Sequence, residues 1–522
     1  MTAARTADQA GPVTLGTAPP SPAEVIAVAR HDAPVRLAEE ARAEVRRTRA
    51  VVESLAGDTR PHYGISTGFG ALATRHIPVD RRAALQAGLI RSHAAGSGPE
   101  VEREVVRALM FLRCATLATG RTGIREQTLD CYLAVLNAGI TPVVHEYGSL
   151  GCSGDLAPLA HCALALTGEG MVRDRDDRLR PAAEALTAAG IVPVTLAEKE
   201  GLTLINGTDG MLGMLLLALA DLRTLIKVAD ITAGLSVEGL LGTDHVFADD
   251  LQRLRPHPGQ AASAANLRAM ITDSGIRASH DTDACTRVQD AYSLRCAPQV
   301  AGAARDTVDH AAAVADRELA AAIDNPVITL DDRVESNGNF HGAPVGYVLD
   351  FLAIAVADLA GIAERRTDRF LDPARSNGLP PFLAADPGVD SGHMIAQYTQ
   401  AAIVAELKRL AAPASVDSIP SSAMQEDHVS MGWAAGRKLR RALDGLRRVL
   451  AIELITATRG LELRAPLPPG PAAAAAIAVL RQAGVAGPGT DRWLAPEIET
   501  AVRVIADGSL LAAVERVTGP LR

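Results

Sequence analysis

The chain has 522 residues, of which 48% are apolar and only 3% aromatic, and its net charge at pH 7 is −9. This length suggests two or three subdomains, and a core built from alanine, leucine and valine favours close-packed helices. This net negative charge argues against the basic surface that nucleic-acid-binding proteins carry, so we expect no nucleic-acid partner.

The N-terminal segment predicts a flexible tail over residues 1–20, because it lacks the continuous apolar stretch of a secretory leader. The longest apolar runs are interrupted by aspartate, so no membrane span is expected. The six cysteines lack C-x-x-C spacing, and no histidine cluster has the spacing of metal ligands. We therefore expect a cytoplasmic protein with reduced thiols, no membrane contact and no metal.

Helical patterns alternate with glycine-rich loops over residues 21–225, which we take as an N-terminal domain. The run "SPAEVIAVARH" begins with a serine cap and a proline at the first helical position. The run "VEREVVRALMFLRCATLATG" has apolar residues at helical spacing and ends in glycine. Irregular loops are predicted for "PHYGISTGFGALATRH", for residues 140–155 and for "EKEGLTLINGTDGM".

Long helical patterns dominate residues 226–465, which we expect to form a central bundle, and residues 466–522 follow as a C-terminal helical segment. The central helices are predicted over 297–324, 343–372, 389–412 and 428–460. The expected fold is therefore mainly α, with a long central helical bundle and an N-terminal loop-and-helix domain. Polar residues gather in a few loops, where function is to be sought.

Two short motifs in the first loop carry little weight. "GISTG" at 64–68 has the G-x-S-x-G pattern of a hydrolase nucleophile but lacks the preceding hydrophobic strand. The overlapping "GFGALA" lacks the third glycine of a dinucleotide-binding fingerprint. We therefore expect neither activity.

The stretch "GSLGCSGDLAPLAH" at 148–161 has two interpretations. It is a helix-entry loop with Asp155 near the helix N-terminus, or it is a site of backbone chemistry. In the second case the Gly154 nitrogen attacks the Cys152 carbonyl carbon, which glycine permits because it has no side chain and tolerates unusual dihedrals. Loss of one water closes an imidazolone ring, and loss of the Ser153 hydroxyl as a second water leaves 4-methylideneimidazole-5-one, a strong electrophile.

This stretch resembles the prosthetic-group motif of the histidine and aromatic amino acid ammonia-lyases, with Cys152 in place of the usual alanine. Further stretches resemble motifs of the same family in the same order: "YGISTGFG" (63–70), "RSHAAG" (91–96), "INGTDGM" (205–211), "QDAYSLRCAPQV" (289–300), "ESNGNFHG" (335–342) and "SSAMQEDHVSMG" (421–432). The resemblance covers residues 60–435. It implies that the N-terminal domain carries the prosthetic group, formed from Cys152, Ser153 and Gly154 with the assistance of Asp155 and without an external cofactor.

The resemblance also implies roles for side chains outside the triad. The implied catalytic residues are Tyr63 as base, Tyr292 as its partner near the substrate amine and Asn206 beside the imidazolone. Arg295 resembles the substrate-carboxylate clamp, a task for which the planar guanidinium is suited. Two further substrate-binding residues are implied: Gln289 would assist in the carboxylate and imidazolone network, and Phe340 would pack near the imidazolone.

The expected substrate follows from two positions. Ser92-His93 resembles the pair found in histidine lyases. At these two positions phenylalanine lyases typically have Phe-Leu, and tyrosine lyases have His-Leu. Glu426 offers a carboxylate to an imidazole N–H, and an apolar ring would leave His93 and Glu426 without partners at a cost of about 1–3 kcal/mol each. We therefore expect L-histidine as substrate, in a homotetramer with active sites shared between subunits.

The expected reaction is the non-oxidative deamination of L-histidine to trans-urocanate and ammonia, the first step of histidine degradation. A phenylalanine or tyrosine ammonia-lyase, or an aminomutase on the same scaffold, is the second reading. A catalytically silent scaffold is the third, although intact Ser153, Tyr63 and Arg295 argue against it. His393 stands where the family usually has an apolar residue, and we expect a core or solvated side chain there. The alternative is that His393 lines the site or an interface, where it would shift substrate or pH behaviour.

Overall fold

A computed structural model describes residues 11–58, 60–282, 285 and 288–522. Within these ranges the chain forms twenty α-helices and nine short strands. The helices are α1 (Pro22–His31), α2 (Glu39–Ala56), α3 (Arg82–His93), α4 (Arg103–Ala118), α5 (Glu126–Asn137), α6 (Leu156–Leu166), α7 (Ala182–Ala188), α8 (Glu200–Ile205), α9 (Asp209–Gly239), α10 (Asp249–Arg253), α11 (Pro258–Ile271), α12 (Gly275–Ala278), α13 (Tyr292–Arg295), α14 (Ala297–Leu319), α15 (Ala343–Leu371), α16 (Met394–Leu410), α17 (Gly432–Glu462), α18 (Pro471–Gln482), α19 (Ala495–Ala506) and α20 (Ser509–Thr518). The prediction of a mainly α fold with long central helices is confirmed.

The chain divides into two compact units. The first holds the described residues up to Leu217 together with Ala312–Asp350 and Pro413–Arg437, and the second holds Ala218–Ala311, Phe351–Ala412 and Lys438–Arg522. The division into 21–225, 226–465 and 466–522 stays a prediction.

All nine strands belong to the first unit and form four small sheets. The strands are β1 (Val13–Leu15), β2 (Val35–Leu37), β3 (Ser97–Glu100), β4 (Thr141–Pro142), β5 (His145–Tyr147), β6 (Met171–Arg173), β7 (Leu179–Pro181), β8 (Val327–Ile328) and β9 (Val334–Glu335). β1 pairs with β2 in parallel, whereas β3–β5, β4–β6–β7 and β8–β9 are antiparallel. Short strands of this kind tie loops together between the helices that form the core.

The start of α1 follows from its sequence. The Ser21 hydroxyl accepts a hydrogen bond from the Glu24 amide (3.3 Å), and the Glu24 carboxylate accepts one from the Ser21 amide (2.7 Å). This capping box satisfies two amides that the helix itself cannot pair. The predicted cap and N1 proline are therefore confirmed.

Two local features differ from the expectations. Val13–Leu15, which lie inside the predicted tail, form β1 and bury Val13 and Leu15; residues 1–10 of that tail lie outside the described residues. The stretch 198–211, predicted as irregular, contains α8. All six residues of α8 are buried, and Glu200 accepts a hydrogen bond from the Thr128 hydroxyl (2.7 Å), so tertiary packing decides the local structure.

The second unit contains α10–α13, α16 and α18–α20, with parts of the long helices. A buried ion pair lies in its core, where the Arg366 guanidinium contacts the Glu453 carboxylate (Nη2 to Oε2, 3.0 Å). The Ser236 hydroxyl donates to the same carboxylate at 2.8 Å. These partners satisfy a charge that would otherwise be costly to bury.

One helix among the described residues, α15, is long and apolar enough to cross a membrane by length and composition alone. However, 61% of its most apolar window is buried inside the protein, as is usual for a core helix. The helix therefore gives only weak evidence for a membrane, and the expected absence of a membrane segment stays a prediction.

His393 is a buried side chain of the second unit, 3% exposed, and its Nδ1 lies 3.0 Å from the Thr456 hydroxyl. Burial, with the nearby Arg459 and Arg492, lowers the pKa of His393 to about 3. The expectation of a core histidine is confirmed.

We predict that His393→Asn makes stability less sensitive to acid. In the unfolded chain the His393 ring is protonated below about pH 6.5, whereas in the folded protein it is protonated only below about pH 3. Folding stability therefore falls as the pH drops from about 6.5 to about 3. For one such group the loss at pH 5 is about 2 kcal/mol. Urea unfolding at pH 7 and pH 5 measures this loss in both proteins, and an equal loss in both would contradict the prediction.

Candidate active site

The glycine-rich loop between β5 and α6 is held by hydrogen bonds from neighbouring segments. Gly151 and Gly154 have φ angles of 67° and 78°, which favour glycine. The Gly151 carbonyl accepts hydrogen bonds from the Ser430 hydroxyl (2.8 Å) and from the Gly342 amide (3.3 Å). The loop is thereby tied to both segments on which "ESNGNFHG" and "QEDHVSMG" lie.

Gly154 packs directly on the turn that follows Asn206. Gly154 and Gly207 form a parallel β-bridge, and the Asp155 amide donates to the Gly207 carbonyl at 2.7 Å. A Cβ atom built on Gly154 would lie 2.1 Å from that carbonyl oxygen, so no other residue fits here without a shift of the backbone. The glycine is thus required by both its dihedrals and its surroundings.

Asp155 is fully buried beneath the loop. Its carboxylate accepts hydrogen bonds from the Ser149 hydroxyl and the Met211 amide, both at 2.8 Å. Burial outweighs these hydrogen bonds and raises the pKa of Asp155 to about 7. The group can therefore gain or lose a proton near neutral pH.

Ser153 faces a carboxylate. Its hydroxyl lies 3.5 Å from Glu426 Oε1, and the other oxygen of Glu426 accepts a hydrogen bond from the Ser421 hydroxyl at 3.3 Å. Cys152 is buried, and burial, followed by the charge of Glu426, raises the pKa of its thiol to about 12. The thiol is therefore neutral at physiological pH.

Tyr63 and His93 lie close enough to Glu426 for its charge to affect both. Burial is the largest effect on each: it raises the pKa of Tyr63 and lowers the pKa of His93. The Tyr63 hydroxyl accepts a hydrogen bond from the Gly70 amide at 3.2 Å. His93 Nδ1 lies 2.9 Å from the Leu89 carbonyl oxygen, which can only accept, so Nδ1 carries the proton and Nε2 is the acceptor nitrogen of the neutral ring.

Asn206 and Phe340 lie next in sequence, or nearly so, to residues that contact the glycine-rich loop: Asn206 precedes Gly207, and Phe340 stands two residues before Gly342. Asn206 is buried and follows α8, and its Nδ2 donates to the carbonyls of Leu202 (3.3 Å) and Asn325 (3.4 Å). Phe340 is partly buried and lies two residues before Gly342, which contacts the loop. The first unit thus brings together most of the residues that the resemblance singles out: Tyr63, His93, Cys152, Ser153, Gly154, Asp155, Asn206 and Glu426.

Three further candidate residues, Gln289, Tyr292 and Arg295, belong to the second unit. The Arg295 guanidinium carbon lies 4.7 Å from the centre of the Tyr292 ring, a cation–π distance. Gln289 and Arg295 line a cavity of about 320 Å³ within this unit, and Tyr292 is 71% exposed. The guanidinium and the cavity offer a place for an anionic group.

Sequence reasoning missed residues that support the site. Ser149 holds Asp155, as described above. Arg113 is fully buried in α4; it donates to the Ile323 carbonyl at 2.9 Å and lies 3.5 Å from the carboxylate of Asp209. An arginine inside an apolar helical pattern is the sequence signal that could have identified it. Within the described ranges, no group of three or more His, Cys, Asp or Glu side chains is arranged to hold a metal ion.

Comparisons with known proteins agree over nearly the whole chain. The sequence matches the aromatic amino acid lyase family over residues 21–482. A histidine ammonia-lyase of Streptomyces coelicolor is 65% identical over 98% of this chain and 99% of its own length.

Two solved structures are similar in fold. The tyrosine aminomutase from Streptomyces globisporus has a TM-score of 0.92 at 37% identity, covering 98% of this chain and 100% of that one. The histidine ammonia-lyase from Trypanosoma cruzi has a TM-score of 0.88 at 36% identity, covering 97% of this chain and 95% of that one. The chain therefore belongs to the aromatic amino acid lyase family.

Proposed function

We propose that this protein is a histidine ammonia-lyase that converts L-histidine to trans-urocanate and ammonia as the first step of histidine degradation. The observation that carries this proposal is the Glu426 carboxylate, which lies 3.5 Å from the Ser153 hydroxyl. It places a hydrogen-bond acceptor for an imidazole next to the residue from which the electrophile would be made. The 65% identity to a histidine ammonia-lyase supports the same substrate.

The residues of the glycine-rich loop fit a prosthetic group formed from Cys152, Ser153 and Gly154. The tight contact of Gly154 with Gly207 holds the loop in a bent conformation that only glycine adopts easily. Asp155, whose pKa is raised to about 7, would assist the cyclisation as a group that can exchange a proton at neutral pH. Once formed, the group would supply an electrophile for the substrate's α-amine, so no external cofactor is needed.

His93 and Glu426 would bind the substrate ring. An apolar substrate ring would leave both side chains without a hydrogen-bond partner, which would cost about 1–3 kcal/mol of binding free energy for each. Phe340 would pack near the prosthetic group. The Asn206 amide would give up one of its two long hydrogen bonds to carbonyls, of 3.3 and 3.4 Å, and donate instead where negative charge develops. The site would thus select a polar ring and stabilise charge.

Tyr63 would take the proton from the substrate's β-carbon. Burial raises the pKa of Tyr63, so the ionised form is a strong base but is scarce at neutral pH. Tyr292 would act beside the substrate amine. Arg295 would bind the carboxylate with its planar fork, assisted by Gln289.

A cytoplasmic homotetramer with shared active sites completes the proposal. Large apolar side chains are exposed on two of the long helices, which supports burial between subunits: Tyr347, Phe351 and Ile354 on α15, and Ile395 and Tyr398 on α16. A second candidate is an aminomutase, because the similar tyrosine aminomutase structure has a TM-score of 0.92. An aminomutase would return the ammonia to the β-carbon.

The first test is a product assay with L-histidine, L-phenylalanine and L-tyrosine. We expect urocanate and ammonia from L-histidine alone, and neither from the Ser153→Ala variant. Ultraviolet absorbance follows the conjugated acid, a separate assay follows ammonia, and intact mass reports the loss of two waters. Conjugated product from phenylalanine or tyrosine only, or a β-amino acid as the main product, would refute histidine ammonia-lyase activity.

The second test uses Gly154→Ala. The added Cβ would lie 2.1 Å from the Gly207 carbonyl, so we expect the loop to shift, the intact mass to retain both waters and activity to be lost. Gly190→Ala is the matched control, because Gly190 has a φ of 68° but nothing within 4 Å of its Cβ position. A Gly154→Ala protein with the mass and activity of the control would show that the contact is not required.

The third test uses Glu426→Gln. We expect kcat/KM for L-histidine to fall about 10- to 100-fold, because the imidazole N–H loses a charged acceptor. Asp427→Asn is the control, since Asp427 is the exposed neighbour with the same change of charge. Steady-state kinetics on L-histidine compare the two variants. An equal loss of kcat/KM in both would contradict the role proposed for Glu426.

A further inference from the structure

A histidine of α6 contacts the segment that follows the candidate substrate-binding residue His93. His161 Nε2 lies 3.1 Å from the Gly96 amide nitrogen, which can only donate. Nε2 must therefore be unprotonated, so the neutral ring carries its proton on Nδ1.

The surroundings of His161 keep its ring neutral. Burial, followed by the nearby His145, lowers the pKa of His161 to about 4. The two rings lie edge to face with their centres 5.5 Å apart. His145 Nδ1 lies 2.9 Å from the Gly98 carbonyl oxygen, so the two histidines hold the same short segment by one amide and one carbonyl.

Gly96 lies where the end of α3 meets the glycine-rich loop. α3 ends at His93, and the Ala95 amide donates back to the His93 carbonyl at 2.8 Å, so the chain turns tightly before Gly96. A Cβ atom on Gly148 would lie 3.1 Å from the Gly96 Cα, which shows how closely the two main chains approach. A displacement of Gly96 would therefore move His93 relative to this loop.

We infer that His161 is a positioning residue: by accepting the Gly96 hydrogen bond it fixes the end of α3, and through it the His93 ring, against the glycine-rich loop. His161 would act on the substrate only through Gly96 and His93. The inference rests on the proposed function for its effect on L-histidine, whereas the anchoring of Gly96 does not depend on it.

The test compares two substitutions of His161. Phe keeps the ring shape but removes the acceptor, so we expect the KM for L-histidine to rise about tenfold with little change in kcat. Gln offers a side-chain oxygen as acceptor, and we expect it to restore most of the affinity. His393→Asn is the control, because it replaces a buried histidine of the other unit and should leave KM unchanged.

A second comparison separates positioning from general structural damage. In a His93→Ala background, His161→Phe should raise KM no further, because His161 affects substrate binding by positioning the His93 ring. An equal rise in KM in that background, or no rise in the single His161→Phe variant, would overturn the inference.

Hydrogen exchange tests the anchoring without reference to activity. Amide exchange of residues 94–98 should be faster in His161→Phe than in His161→Gln or the wild type, because the Gly96 amide loses its acceptor. Unchanged exchange would overturn the inference whatever the activity. If the wild-type protein makes no urocanate but exchange is still faster in His161→Phe, the anchoring is upheld and the proposed function is rejected.

Discussion

The contact between Gly154 and Gly207 is the constraint on which the candidate active site depends. It joins two main chains with no side chain between them, and it leaves no room on either side. A Cβ on Gly154 would meet the Gly207 carbonyl at 2.1 Å, and a Cβ on Gly207 would meet Arg113 Nη1 at 2.5 Å. Because backbone contacts fix the loop, the position of Ser153 does not depend on the conformation of its own side chain.

Buried charge surrounds this contact and sets the acid–base character of the site. Burial raises the pKa of Asp155 to about 7, so the protein keeps beside its loop a carboxyl that can exchange a proton at neutral pH. Burial also raises the pKa of Tyr63, with smaller contributions from the charges of Glu426 and Asp324. Asp324 forms an ion pair with the buried Lys199, whose positive charge partly offsets the negative charge of Asp324. Such groups cost stability, and their cost is a reason to associate them with function.

The sequence was sufficient for features that depend on neighbours along the chain. The α1 cap and the long helices follow from local patterns, and the family motifs identified the side chains near Glu426. Contacts between distant segments were not predictable: Gly207 stands 53 positions after Gly154, and α8 forms because packing buries it. His161 was missed for the same reason, since its partner Gly96 is remote in sequence and only the fold brings the two together.

Under the proposed function, the arrangement of His93 and Glu426 has a consequence for the form of the substrate. His93 directs its Nδ1 proton to the Leu89 carbonyl, which leaves Nε2 as an acceptor, and the Glu426 carboxylate is an acceptor as well. A phenyl ring offers no donor to this pair, and a phenol offers one. An imidazolium ring offers two N–H donors, so it alone of these rings can satisfy both acceptors. The same two side chains that distinguish histidine from phenylalanine therefore also favour the protonated ring of histidine.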